Sequence, residues 1–491
     1  MQIQSIMNEP TTGEMEDALE SMPVTLHDAF DETLARIQRQ PEGRRRLAIH
    51  TLMWLSHAMS PLTVMELSEA LAIRAGQMSL NRRYRPSQKS MIECCLGLVT
   101  VDEESLSVRL AHYSIQEYLK DRETEIFPST EGELAEKCLT YLFMDPLSQG
   151  CCDLKQDIFS RMKEYPFLRY ATSYWGHHTR RCPSEKTVKL AVSFLNSQPR
   201  RSMSTQIYNF SRGLRADYWV PDEVNSITGL HVASSFGMEH AVRNILILRD
   251  VEIDAKTKMG TTPLISAVAA GHIETLRLLL RGKANPKIAN WYGTALHCAA
   301  EAGQCESIRV LLDSGIAVNC RDPFERTSLH CGVDMGRLAV AELLLDRGAD
   351  PNARDEDGRT PVYDAVELDH AQPLLPLLLA HVVDVNKKLE GATMLHYAAG
   401  RGYVKKVNML LANGANIECK VNGGFTPLHC ATLENQKETV GTLLRHGAKV
   451  NSKSNSGITP VAIAVANGFT AVEIMLLEYG AERAADSSRP E

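Results

Sequence analysis

The chain has 491 residues, 44% of them hydrophobic and 23% charged, which is enough for two to four folded units and unlike a disordered tail. A formal net charge of −7 offers no overall positive field to nucleic acid or anionic lipid. No apolar run reaches the roughly eighteen residues that a membrane span needs, and the opening MQIQS lacks the basic-then-apolar pattern of a secretion signal, so no membrane is expected and the expected compartment is cytoplasm or nucleus.

Residues 1–21 are polar and acidic without a clear period and are read as disordered. Over 22–126 the apolar spacing predicts a helical domain. Leu26, Phe30, Leu34 and Ile37 mark one face of a first helix, and a second runs from about 44 to 56 through Leu47, Leu52 and Leu55. A third is opened by the capping box of Thr63 and Glu66 and continues through Leu67 and Leu71. A basic loop at 81–86 (NRRYRP) and a short helix near 90–96 lead to alternating apolar residues at 98–101 and 106–110. These flank the turn 102–105 (DEES) and read as a β-hairpin. A second capping box, Ser114 with Glu117, is expected to open a last helix. Three helices followed by a two-stranded wing describe a winged helix.

The segments 26–37 (LHDAFDETLARI), 61–67 (PLTVMEL) and 108–119 (VRLAHYSIQEYL) resemble the winged-helix region that follows the ATPase module of fungal NACHT–ankyrin proteins. Residues 165–175 (YPFLRYATSYW) are similar to the helical connector of that group, which places a connector at 127–215. Those larger proteins bind nucleotide with a P-loop, and no GxxxxGK[ST] occurs in this sequence, so neither nucleotide nor any other cofactor is expected.

From 216 to 482 the sequence repeats. Thr228, Thr262, Thr294, Thr327, Thr360, Thr393, Thr426 and Thr459 each open a Thr-x-(Leu/Val) core and lie 34, 32, 33, 33, 33, 33 and 33 residues apart. Nine residues after most of them stands a glycine (237, 271, 303, 336, 402, 468). A second glycine follows a Leu-rich run (282, 315, 348, 414, 447, 480). Unit length and the T-P-L-H-x-A pattern resemble the ankyrin family over more than half of the chain. The physical reading is consistent with that. A threonine hydroxyl can accept an unpaired N–H at a helix start, proline has none to lose there, and the glycines fit turns that need positive φ. Each unit is too thin to bury its own Leu face, so a core forms only by stacking. The fold class expected is therefore mainly α: a solenoid of about eight ankyrin repeats behind a winged-helix-like domain and a helical connector, with a tail at 483–491.

Within the repeats, His231, His297, His330, His396 and His429 recur once per unit and are read as hydrogen-bonding residues rather than convergent metal ligands. Cys298, Cys331 and Cys430 share one repeat position, and Cys320 and Cys419 another, which marks packing rather than disulfides. Repeats one and eight look like end caps. Repeat five departs, because Pro373 and Pro376 enter its second helix and His381, Val382 and Val383 replace Gly-Ala-Asp. Prolines in a first helical turn cost little, whereas deeper ones would bend the helix.

No nucleophile elbow, HExxH helix or kinase set is present, and His177, His178 and Cys182 supply at most three of the four ligands of a structural metal site. An enzyme is not expected, and no metal. Direct DNA binding by the winged helix is the alternative reading, on the strength of Arg44, Arg45, Arg46 and the basic loop. Against it stand the acidic wing tip, Asp102 to Glu104, and the acidic helix 66–70 expected to enter the groove.

Ankyrin relatives bind partners along hairpin tips and first helices. Carried over position by position, the resemblance implies a protein-binding surface of Lys258, Met259, Trp291, Phe324, Asp357, Arg359, Glu390 and Phe425 at the tips. Glu301, Asp334, Met335, Glu367 and Arg401 join them from the first helices, with the patch centred on repeats two to four. The expected function is a non-enzymatic adaptor whose partner is another protein, a transcription factor or a signalling protein.

Overall fold

The computed structural model describes residues 25–482 except 75, 128, 129, 249, 382 and 383; the expected disorder of 1–21, the tail 483–491 and the Val382–Val383 replacement fall outside the described residues. Twenty-eight α-helices and five short strands are present among the described residues. Contacts divide the chain into two units that meet between Lys283 and Ala284.

The first unit begins with α1 (Leu26–Gln38), which buries Phe30, Leu34 and Ile37 while Leu26 stays exposed. Then come α2 (Glu42–His57), β1 (Leu62–Thr63), α3 (Val64–Ala72), α4 (Gln88–Cys94), β2 (Val99–Val101) and β3 (Ser107–Leu110). The Thr63–Glu66 capping box forms as expected. The sheet has the order β1-β3-β2, so the hairpin gains a third strand that pairs Leu62 with Val108. Leu106, expected to start a strand, instead takes φ 52° in the turn and is exposed.

Two expectations in this region are corrected. Helix α5 (Tyr113–Asp121) is capped by the His112 ring, which accepts the Ser114 N–H, so the box of Ser114 and Glu117 does not form. The short helix expected before the hairpin forms as α4, whereas the 66–70 segment expected to enter a DNA groove belongs to α3 and is largely buried.

After α6 (Glu123–Ile126) the connector folds as α7 (Thr130–Leu142), α8 (Lys155–Glu164), α9 (Leu168–Arg181), α10 (Glu185–Asn196), α11 (Gln198–Ser211) and α12 (Pro221–Ser226). It closes over the winged-helix segment. Trp54, fully buried, meets the rings of Phe167 and Tyr170 edge-on at 5.4 and 5.6 Å. Glu69 of α3, also fully buried, pairs with Arg85 and accepts from the Tyr141 hydroxyl at 2.6 Å and the Phe167 N–H at 3.1 Å. A buried carboxylate is tolerable only with its acceptor sites filled in this way. The connector also seats the first repeat, because the Phe236 ring occupies the space where a Cβ on Gly176 would stand.

Repeats one and two, α13 (Gly229–Phe236) with α14 (Glu239–Leu246) and α15 (Pro263–Ala269) with α16 (Ile273–Arg281), complete this unit. The second unit holds repeat three, with hairpin β4 (Ala289–Asn290) and β5 (Gly293–Thr294), α17 (Ala295–Ala302) and α18 (Cys305–Asp313). It continues with α19 (Ser328–Asp334) and α20 (Leu338–Asp346), α21 (Pro361–Glu367) and α22 (Leu375–His381), α23 (Met394–Gly400) and α24 (Val404–Ala412). The last pairs are α25 (Pro427–Leu433) with α26 (Lys437–Arg445) and α27 (Pro460–Ala466) with α28 (Thr470–Glu478).

The threonines sit at the N-caps of all eight first helices. Glycines 237, 271, 303, 336, 402 and 468 have φ between 66° and 79°, as a tight helix-to-helix turn requires. At Gly282 the expectation fails, since φ there is −73° and Lys283 takes the left-handed place with φ 69°. In repeat five the first turn of the second helix becomes a 3-10 stretch, Asp369–Leu374, with Pro373 inside it, and Pro376 falls in the first turn of α22. The prolines therefore shorten the α-helix, at positions where the missing N–H costs little.

Candidate protein-binding face

The recurring histidines set the geometry of this face. In each of five repeats the cap threonine donates its N–H to the ring Nδ1, at 3.1 Å for His231, His330 and His429 and 3.2 Å for His297 and His396. Nδ1 is then the acceptor, so the proton sits on Nε2. That nitrogen donates to a carbonyl at the hairpin of the next repeat: His231 to Thr261 at 2.9 Å, His297 to Arg326 at 3.0 Å, His330 to Arg359 at 3.3 Å, His396 to Phe425 at 3.2 Å and His429 to Ile458 at 3.1 Å. The role expected inside each repeat thus also crosses to its neighbour. Burial holds these rings neutral, with His231, His330 and His396 lowered to about 4 and His297 and His429 lowered too.

With tips anchored from behind, their side chains are left to the surface. In the first unit Lys258 is exposed and Met259 half-buried; their N–H groups are held by the Ser226 hydroxyl at 2.9 Å and the Glu223 carboxylate at 3.1 Å. Met259 lines a groove of about 410 Å³ with Tyr208, Arg212, Tyr218 and Phe236, contributed by the connector and repeat one. Sequence reasoning missed Tyr208 and Arg212 because they lie in the connector, outside the repeat.

In the second unit Trp291 is 66% exposed and Phe324 49%, so neither is used up in packing between hairpins. Tyr292, next to Trp291 in the two-residue turn and 54% exposed, was not singled out in the sequence. Glu301, Met335, Asp357, Glu390 and Arg401 are exposed as well. Asp334 pairs with Arg326 at 3.0 Å, and Glu367 with Arg359 at 3.7 Å. Phe425 is half-buried, edge-on to His429 at 5.4 Å. Arg401 lies over the Tyr397 ring at 5.6 Å, and both line a cleft of about 430 Å³ with Cys430, Leu433 and Glu434.

Elsewhere the polar groups are occupied by structure. His178 is fully buried between the Glu131 carboxylate at 2.6 Å and the Tyr170 hydroxyl at 2.9 Å, which takes both ring nitrogens. His177, pushed down to about 4 by burial and by Arg180, packs edge-on against Phe236. Burial pushes the thiols of Cys298 and Cys430 up to about 11 and Cys331 up to about 12, so these cysteines pack as thiols.

On the winged helix, α4 exposes Lys89 and Glu93, which pair with each other at 3.7 Å, and Arg44 pairs with the same Glu93 at 3.3 Å. Arg85 is bound to Glu69, Arg82 pairs with Glu164, and Asp102 to Glu104 stand on the wing turn. Phosphate contact draws on cations that are not neutralised within the protein. No helix among the described residues is long and apolar enough to cross a membrane.

Residues 214–290, 230–322, 284–355, 329–421 and 418–486 match the family described as ankyrin repeats (3 copies), and residues 34–127 match the GPI inositol-deacylase winged helix domain. The azaphilone pigments biosynthesis cluster protein L of Monascus ruber is 27% identical over 293 residues, 53% of this chain and 60% of that protein. A B-cell lymphoma 3 protein homolog of Mus musculus is 38% identical over 91 residues, 18% of this chain and 20% of that protein. The chain therefore spans less than two thirds of either relative. The crystal structure of the ankyrin repeat domain of Bcl-3 is 27% identical, with a TM-score of 0.41, and covers 44% of this chain and 99% of its own. Matches that together span 214–486 make this chain a member of the ankyrin-repeat family, with a winged-helix domain ahead of its repeats.

Proposed function

We propose that the chain is an adaptor that recruits a partner protein along the tips and first helices of its repeats, acting as a transcriptional co-regulator or a signalling scaffold. The observation that carries this reading is Trp291, an indole left 66% exposed on a hairpin whose backbone is otherwise regular. Large aromatic side chains at such places are the usual anchors of protein interfaces. The Monascus relative is named for a pigment biosynthesis cluster, a setting in which a non-enzymatic regulator or scaffold would act beside enzymes. The binding residues proposed are the thirteen carried over from the repeat positions, with Tyr292 added. Direct DNA binding has less support, because three of the arginines it would use, Arg44, Arg82 and Arg85, are paired with carboxylates and the wing turn is acidic.

The test is affinity purification of the full chain from its own cells, wild type against the double variant Trp291→Ala and Phe324→Ala. A partner retained by wild type and lost by the variant supports the reading. Equal recovery would move the binding surface elsewhere.

A further inference from the structure

Repeat five differs from its neighbours in one residue turned toward this face. The fourth position after the cap threonine holds Cys298, Cys331, Tyr397 and Cys430 in repeats three, four, six and seven, and Asp364 in repeat five. Tyr397 and Cys430 line the cleft described above, so this position lies on the side of the first helices that carries the cleft. Asp364 is 9% exposed, and among the described residues its carboxylate has no hydrogen bond or ion pair. The two nearby guanidiniums are engaged elsewhere, Arg326 with Asp334 and Arg359 with Glu367. Burial pushes the Asp364 carboxyl up to about 7, with Arg326 opposing and Asp355 and Asp334 adding to the rise.

A carboxylate so placed is expensive unless a cation reaches it. Beside Asp364 stand three further acids, Asp334, Asp355 and the Glu367 that pairs with Arg359, against Arg326 and Arg359, so the site draws positive charge and repels negative charge. The adjoining rings already accept cations. Arg359 lies over Tyr363 at 5.9 Å and Arg401 over Tyr397 at 5.6 Å, while the two tyrosines meet edge-on at 5.0 Å.

We propose that Asp364 is the anchor for a lysine or arginine side chain on a partner's peptide segment laid across repeats four to six. The inference rests on the adaptor reading and names the chemistry of its partner. The segment is basic at one position, and the tyrosine edges beside Asp364 pack against its aliphatic stem.

The experiment selects a displayed library of random peptides, each of about twelve residues, on the immobilised full chain and in parallel on Asp364→Asn. A melting curve of the variant checks that it is folded. Wild type should enrich peptides with Lys or Arg at one fixed position. A synthetic copy of such a peptide should bind Asp364→Asn roughly thirtyfold more weakly. Replacing its basic residue by norleucine should cost wild type a similar factor and the variant almost nothing further. Enriched peptides without a basic position, or binding equally well to both chains, would overturn the anchor while leaving the adaptor reading in place. Failure to enrich any peptide would overturn both.

Discussion

Lys406 Nζ lies 2.8 Å from the carbonyl of Val366 and 3.0 Å from that of Leu368, so a lysine of repeat six caps the first helix of repeat five. Only 2% of Lys406 is exposed, and burial lowers its pKa, with Asp369 opposing. Thr275, Ser307, Val340 and Thr439 occupy the equivalent place in other repeats. The lysine stands where the usual glycine turn is missing and the chain runs through a 3-10 stretch instead.

Lys406→Met should therefore destabilise repeats five and six by about 1–3 kcal/mol, because the carbonyls it serves are left buried and unpaired. Native-state hydrogen exchange is the suitable measure, since a repeat stack need not unfold in one step. Protection should fall over residues 361–381 first. An even loss across all repeats would contradict a local capping role.

The histidine ladder gives a pH dependence with a definite sign. Rings held near 4 in the folded state but near 6.5 when unfolded bind fewer protons in the native protein, so stability is full above pH 6.5 and falls as pH drops toward 4. At pH 5 each of His231, His330 and His396 should cost about 1–2 kcal/mol relative to pH 8. A melting temperature that stays level from pH 7.5 to 5 would show that protonation is accommodated.

Asp364 acts in the opposite direction. Its folded value near 7 exceeds the ordinary 3.8, so its native state holds the proton more tightly, and stability is lost as pH rises from about 4 through 7. The charged groups that face it are Arg326 and Asp334 from repeat four and Asp355 and Arg359 from the hairpin. Asp364→Asn should raise the melting temperature at pH 8 by a few degrees, roughly 2 kcal/mol, and change little at pH 4. A lower melting temperature at pH 8 would mean that the ionised carboxylate is stabilising.

Trp291 can be tested without any partner. Trp54 and Trp175 are buried and Trp219 half-buried, so acrylamide should quench one tryptophan of the four strongly. Trp291→Phe should abolish that component and leave the melting temperature within about 1 °C. An unchanged quenching curve would show the indole covered.

What the sequence made legible was whatever the repeat fixes. Cap threonines, turn glycines and ladder histidines each answer a backbone requirement that recurs at every 33-residue step, and each was visible as a column. Lys283 escaped because the left-handed turn keeps its place 21 residues after the cap threonine, as at Gly315 and Gly348, while the glycine of that repeat stands one residue earlier. Strand β1 is two residues long, too short for any alternation, and helix α5 starts before Ser114 because the His112 ring accepts the Ser114 N–H and caps it there. The candidate face was legible as a set of positions, and its charges were not. Whether Arg326 and Arg359 are engaged depends on side chains that reach eight residues along, to Asp334 and Glu367.

The ring-to-carbonyl bridge has a direction, since the donor always belongs to the earlier repeat and the acceptor to the later one. Ala462 stands at the ring position of repeat eight, which therefore extends no such donor. Repeats two and five, with Ile265 and Tyr363 at the ring position, extend no such donor either, so only a unit that carries the histidine can be duplicated with its bridge intact. Reordering the units so that repeat eight came before another would leave a hairpin carbonyl unanswered. The histidines thus make the order of the modules, as well as their number, a property that selection can see.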